Sequence, residues 1–413
     1  MESTAMLRHL AFFEELSRLD ESDASWREVS AGLVVVRLVD AWLEHGASVV
    51  AADSWTIGSV LSAIDEIPVG RPARGILRSV ADAMVAAGMP DAHAVSPRLM
   101  AYARSLDFDA KWPLAIDVYS TIVAHAEPLE DAETVIGAHL RLGFCLRQVG
   151  DVEESATAYQ RAGQIAECVG DMMGVLRSRI GHAKIALIRG NLPQAESILD
   201  GTIADAAHHG LSSVKSMALH DRSAAAGLRG DYELAVKLAY RAIECAETER
   251  DRDRILYDIA ISFNRLGVRS AARDALHVLA ATALEQYTRW AATIQLLAIA
   301  ADDGMTTVFE RYRRELVGQA LPPSLTAEFE YQTGRGYRLF GESEAAITWL
   351  ERAVETAREH DFNQLLFELE SELHAVHTTP RTAWSTELEQ PSIDVQEIAD
   401  AIHQMRKAVG AMS

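Results

Sequence analysis

The chain has 413 residues, a formal net charge of -21 and only 7% aromatic residues. That charge argues against phosphate-backbone binding as the main activity, because nucleic-acid binders draw their affinity from Lys and Arg. Cys145, Cys168 and Cys245 are too few and too scattered for a disulfide framework or a zinc site and read as small core residues.

The N-terminus has no basic region followed by a long apolar run, and GLVVVRLVDAWL is broken by Arg37 and Asp40. A soluble, cytoplasmic protein without a membrane contact is expected. Residues 1–92 read as four helices. Leu7, Leu10, Phe13 and Leu16 recur at helical spacing in the first. Asp23 or Ser25 caps a second, through Val34, Leu38 and Trp42, which ends before Gly46. Ser54 caps a third, through Ile57, Val60 and Ile64, and a fourth covers Ile76 to Val85. This segment either caps the rest of the chain or forms a homodimer contact. Its acidic excess disfavours a helix-turn-helix module.

From about residue 93 the chain repeats. Gly150, Gly190, Gly230, Gly267, Gly304 and Gly341 succeed one another at 40, 40, 37, 37 and 37 residues. Each is followed, in most copies, by a small, a bulky and a small residue, as in Ser155, Tyr159 and Ala162 or Ala346, Leu350 and Ala353. A fixed period of this size means stacked supersecondary units that bury their apolar faces against neighbours. Gly suits the turn because a first helix commonly closes in the left-handed conformation. Asp151, Asn191 and Asp231 can then cap the second helix, with Ser270 in that role in the fifth unit. An earlier copy lacks its Gly: Ala110-Lys111-Trp112 precedes Ala115 and Tyr119. About seven hairpins are expected over 93–360, bounded near 94–130, 131–171, 172–211, 212–249, 250–285, 286–322 and 323–360. The sixth is the weakest in pattern. A capping helix comes next over 361–376, then a Pro/Thr/Ser-containing linker over 377–391 and a C-terminal helix over 392–413 that either folds back or stays mobile.

Residues 141–166, 227–246 and 334–357 resemble tetratricopeptide repeats. Leu142-Gly143 and Gly334 match the first-helix position of the family pattern, and Tyr159 matches its aromatic. The period exceeds the family's usual length and the closing Pro is absent, as in the long-repeat bacterial type. The resemblance implies an all-α fold, a right-handed α-α superhelix with an N-terminal helical segment and C-terminal capping helices.

It also implies which side chains face a concave groove. Counted back from each turn, those positions hold Arg104, Arg141, Arg147, Arg177, Lys184, Arg254, Asn264, Arg265, Arg335 and Arg338, joined by Tyr257 and Tyr331. Asp107, Asp221, Asp258, Asp302 and Glu328 share the same face. A basic groove in an acidic chain attracts an acidic peptide or a C-terminal carboxylate, with Arg supplying bidentate contacts. The Lys/Asn clamp of the family's chaperone-binding members is not reproduced. Trp112, Trp290 and Trp349 read as core.

No phosphate loop, nucleophile elbow or His-Glu-x-x-His motif occurs, and His374 with His377 lacks a completing ligand. No enzyme activity, metal or cofactor is expected. The reading is a protein-interaction scaffold that holds a peptide or helix of a partner. The alternative is a ligand- or peptide-responsive regulator without its own DNA-binding domain.

Overall fold

The structure, a computed structural model, describes residues 8–45, 57–126, 130–360, 362–378 and 391–410. Among these there are twenty α-helices and no strand. Ser54 and most of the expected linker 377–391 lie outside the described residues.

The first four helices are α1 (Leu10–Arg18), α2 (Ala24–His45), α3 (Ile57–Asp65) and α4 (Pro72–Ala87). Of the two candidates for the α2 cap, Asp23 takes the role, its Oδ1 accepting from the Ser25 N–H at 2.8 Å. Gly88 closes α4 at φ 68°. These helices share one apolar core with the first of the repeats, from Phe12, Val36 and Ile64 to Leu99 and Tyr119. Tyr102 lies directly over Gly32, where a Cβ would meet its hydroxyl oxygen.

Pairs of helices then succeed one another. They are α5 (Ala92–Phe108) with α6 (Trp112–His125), α7 (Ala132–Gln148) with α8 (Val152–Val169), and α9 (Met172–Ile188) with α10 (Leu192–His208). Next come α11 (Ser212–Leu228) with α12 (Tyr232–Cys245), α13 (Glu249–Arg265) with α14 (Arg269–Thr282), α15 (Gln286–Asp302) with α16 (Thr306–Leu316), and α17 (Pro323–Leu339) with α18 (Ser343–Glu359). Two further helices are α19 (Asn363–Thr378) and α20 (Ile393–Gly410). The chain divides into two compact units, 1–205 and 206–413.

The turn inside every pair has the same hydrogen-bond geometry. The N–H just past the turn reaches back to a carbonyl five residues earlier, as in Lys111 to Leu106, Asp151 to Leu146, Asn191 to Ala186, Asp231 to Ala226 and Glu342 to Tyr337, at 2.8–3.0 Å. The six recurring glycines sit at φ 69–85°, and Ala110 takes the same left-handed conformation at φ 58°. The repeat therefore fixes a backbone shape that the first pair attains without Gly. Asp151, Asn191 and Asp231 cap their second helices at Glu154, Gln194 and Leu234, with N···O distances of 3.1–3.2 Å. Ser270 does not cap α14: the helix begins one residue before it, after Val268, so its hydroxyl lies inside the first turn.

Small residues in the first helices make room for the second. The ring of Tyr159 on α8 lies between Gly143 on α7 and Gly181 on α9. Leu350 packs on Gly334, and Phe309 on Gly336. Cys145 is buried in this core, where desolvation pushes its thiol up to about 12. Cys168, by contrast, is exposed, because it falls on the outer side of α8 near its end.

In the second unit α20 folds back on α12 and α14. Val395, Ile398 and Ile402 are buried there. His403 Nδ1 lies 2.7 Å from Asp274 Oδ2, Arg406 pairs with the same carboxylate, and Lys237 Nζ lies 2.9 Å from Asp394.

Candidate functional site

The first helices of successive pairs pack side by side, α5 on α7 and α7 on α9 in the first unit. This brings Arg104, Arg141 and Arg177 together, one from each helix. Arg141 is anchored. Its Nε donates to Asp107 Oδ2 at 2.8 Å, a second guanidinium nitrogen contacts Asp107 Oδ1, and the Tyr119 hydroxyl donates to the same carboxylate at 2.8 Å. Asp107 is only 8% exposed, so its charge is committed to these two partners.

Among the described residues, Arg177 has no carboxylate within ion-pair distance. Burial, and then the charges of Arg141 and Arg104, hold its guanidinium below the usual Arg range, with only Asp171 opposing them. Positive charge thus accumulates around Arg177, while that of Arg141 is balanced by Asp107. Phe144 adds an aromatic surface beside it, with the guanidinium carbons of Arg141 and Arg147 at 4.6 and 5.3 Å from its ring centroid. Lys184, half-buried, lies two turns further along α9.

In the second unit the face has a different character. Arg254 and Arg265 on α13 are exposed and Asn264 is half-buried. Arg335 donates to Asp302 on α15 at 2.6 Å, and Arg338 Nε lies 2.7 Å from Glu372 on α19. Both guanidiniums are therefore occupied by neighbouring helices. Tyr257 is mostly buried, and desolvation, then Glu328, raises its phenol well above the usual range. Burial likewise pushes Tyr331 up to about 12, with Glu372 and Glu368 contributing. Glu328 is itself raised above the usual carboxylate range by burial, although Gln332 donates to it at 2.9 Å, and Glu368 adds to the rise.

The sequence positions counted from the turns thus fall into two groups. Arg104 and Arg141 lie near Arg177, and Arg141 and Arg147 flank Phe144. Tyr257, Tyr331, Arg335 and Arg338 lie instead in an aromatic, partly acidic setting. Phe144 and the acids of α19 were not among the expected groove residues. The first is an ordinary apolar helix position, and α19 reads from sequence only as a cap. Trp349 packs edge-on against Phe329 at 5.6 Å, a core role. On another flank of α9, Ala156, His182, Ile185, Arg179, Arg189 and Gln194 line a cavity of about 470 Å³.

No protein-family model and no curated protein matches this sequence. Solved structures do resemble its fold. The apo form of RapI is 10% identical over 80% of this chain and 98% of its own, with a TM-score of 0.50. A Rap protein complexed with Competence and Sporulation Factor is 12% identical over 84% of this chain and 99% of its own, also at 0.50. The chain is an all-α, tetratricopeptide-like helical solenoid, as the residue pattern implies. No helix among the described residues is long and apolar enough to cross a membrane.

Proposed function

We propose that this protein is a non-enzymatic interaction scaffold that binds an acidic peptide or helix of a partner protein on the first-helix face of its first unit. Arg177 carries the reading: a half-buried guanidinium without a carboxylate partner among the described residues, crowded by Arg141 and Arg104. A carboxylate placed there gains bidentate hydrogen bonds and relieves like-charge repulsion. Arg104 is exposed and free to follow the ligand, whereas Arg141, held by Asp107, is preorganised. Phe144 offers apolar area for the ligand's side chains, and Arg147 extends the basic surface.

A fluorescein-labelled, Glu-rich peptide tests this by polarisation. Binding should weaken steeply with salt and fall at least about tenfold in Arg177→Glu, as expected for loss of a charge-assisted contact. Equal binding by wild type and Arg177→Glu refutes the assignment.

A second reading, a peptide-responsive regulator, is favoured by one observation: a Rap protein of the same fold was solved in complex with Competence and Sporulation Factor. In that case peptide addition changes the small-angle scattering profile. A pure scaffold binds without such a change.

A further inference from the structure

The helix α20 shows what a groove between successive second helices can hold. It packs on α14 and α12, with Val395, Ile398 and Ile402 buried against them. Its cover is visible in the repeat itself. Seven and eleven residues after the turn glycine, α14 carries Asp274 and Val278, which are 5% and 9% exposed. The residues at the same two positions of α8, α10, α16 and α18 are exposed.

The first unit holds an open counterpart of this seat. The cavity of about 470 Å³ lies between α8 and α10, with α9 as its floor. From α10 it is lined by Gln194, Ser197, Ile198 and Gly201, which stand four, seven, eight and eleven residues after Gly190. On α14 those four positions are all buried. Ser197 thus stands where Asp274 meets His403 and Arg406 of α20. Ile185 and Ala186 give the groove an aliphatic floor.

The two seats differ in charge. In the second unit a buried carboxylate receives the basic end of α20. The lining of the first-unit groove contains no carboxylate but two arginines, Arg179 and Arg189. Ten residues separate them, about 15 Å along the helix axis. Each pairs with an acid at the groove's edge, Arg179 with Asp205 and Arg189 with Glu153. These pairs lie open to solvent, so they contribute little and exchange readily for another carboxylate. Arg177 and Arg179 are two residues apart, about 200° around α9, which separates this groove from the arginine row.

We propose that the groove between α8 and α10 docks an amphipathic helix of a partner protein. That helix presents aliphatic residues at the spacing of Val395, Ile398 and Ile402, flanked by carboxylates about three turns apart that meet Arg179 and Arg189. The α20 helix of a second copy does not fit, because it would bring His403 and Arg406 against the two arginines.

The probe is a fluorescein-labelled peptide of residues 391–410 carrying His403→Glu, Arg406→Glu and Lys407→Glu. It is titrated by polarisation with the full chain carrying Arg177→Glu, which sets the arginine row aside. The expected result is saturable, salt-sensitive binding at least about tenfold tighter than that of the unaltered peptide. Gly201→Trp, added to that chain, fills the groove from a helix position where a Cβ meets nothing within 4 Å, and should weaken binding at least about tenfold. Arg179→Glu with Arg189→Glu should weaken it as much and keeps the test valid if Gly201→Trp fails to fold; circular dichroism checks folding in each case. No saturable binding, equal affinity for the two peptides, or affinity in either folded groove variant within about twofold of the Arg177→Glu chain overturns the proposal.

Discussion

Replacing Gly181 by Ala tests how the repeats are held together. In an exposed helix interior this exchange stabilises by about 1 kcal/mol, because Ala loses less backbone entropy. At Gly181 the new Cβ would lie 2.3–2.6 Å from three atoms of the Tyr159 ring. The ring cannot retreat, since a Cβ at Gly143 on its other side would already be 2.9–3.0 Å away and Tyr159 is 4% exposed. Overpacking of this kind costs about 1–3 kcal/mol, and the two-sided confinement places it at the upper end. The net expectation is a loss of about 2 kcal/mol. Gly201→Ala, on α10 of the same unit where a Cβ meets nothing within 4 Å, should instead gain up to about 1 kcal/mol. The two variants therefore differ by about 3 kcal/mol, more than a hundredfold in the folding equilibrium. Urea unfolding followed by circular dichroism at constant m-value reads the difference. In a Tyr159→Ala background the sign of Gly181→Ala should reverse, because the obstacle is gone. A neutral or stabilising Gly181→Ala in the wild-type background would refute the argument.

Three further outcomes rest on the same packing. Ala110→Gly should stabilise by about 0.5 kcal/mol, as relief of a left-handed Ala outweighs the entropy Gly adds to the unfolded chain, and Gly230→Ala should cost about 1 kcal/mol; thermal melts compare them. His139 is held down to about 4 by burial and then by Arg161, so the unfolded chain takes up its proton first as the pH falls. Stability contributed by the neutral ring is complete above about pH 6.5 and falls by about 1 kcal/mol at pH 5.5, allowing for partial exposure; His139→Gln should flatten that slope in urea titrations at the two pH values. Removing residues 391–413 exposes the α12–α14 surface that Val395, Ile398 and Ile402 cover and leaves Asp274 without His403 and Arg406, so hydrogen exchange in α14 should rise and the second unit lose about 2–4 kcal/mol.

The glycine spacing and the small residues around Tyr159 and Leu350 were enough to specify paired helices and their turns, because those features obey local rules: left-handed closure needs Gly, and close helix approach needs a missing side chain. Even the turn without Gly was legible, from the register of Ala115 and Tyr119 alone. The charge pattern of the face was not. Arg141, Arg335 and Arg338 all stand at first-helix positions counted from the turns, yet each finds an acid from a different helix: Asp107 on α5, Asp302 on α15 and Glu372 on α19. Arg177 finds none among the described residues. Whether a cation is neutralised depends on partners that the repeat brings close in space, 33 or 34 residues away in these pairs, and no window of sequence records that. The cluster of His9, Asp40, Glu44 and His125 makes the same point more sharply. Its members lie between positions 9 and 125 without motif spacing, and only the packing of α2 against α6 and the residues before α1 gathers them around Asp40. Periodicity determined the backbone; the meeting of unlike side chains across helices was decided by tertiary structure, because electrostatics acts through distance in space rather than along the chain.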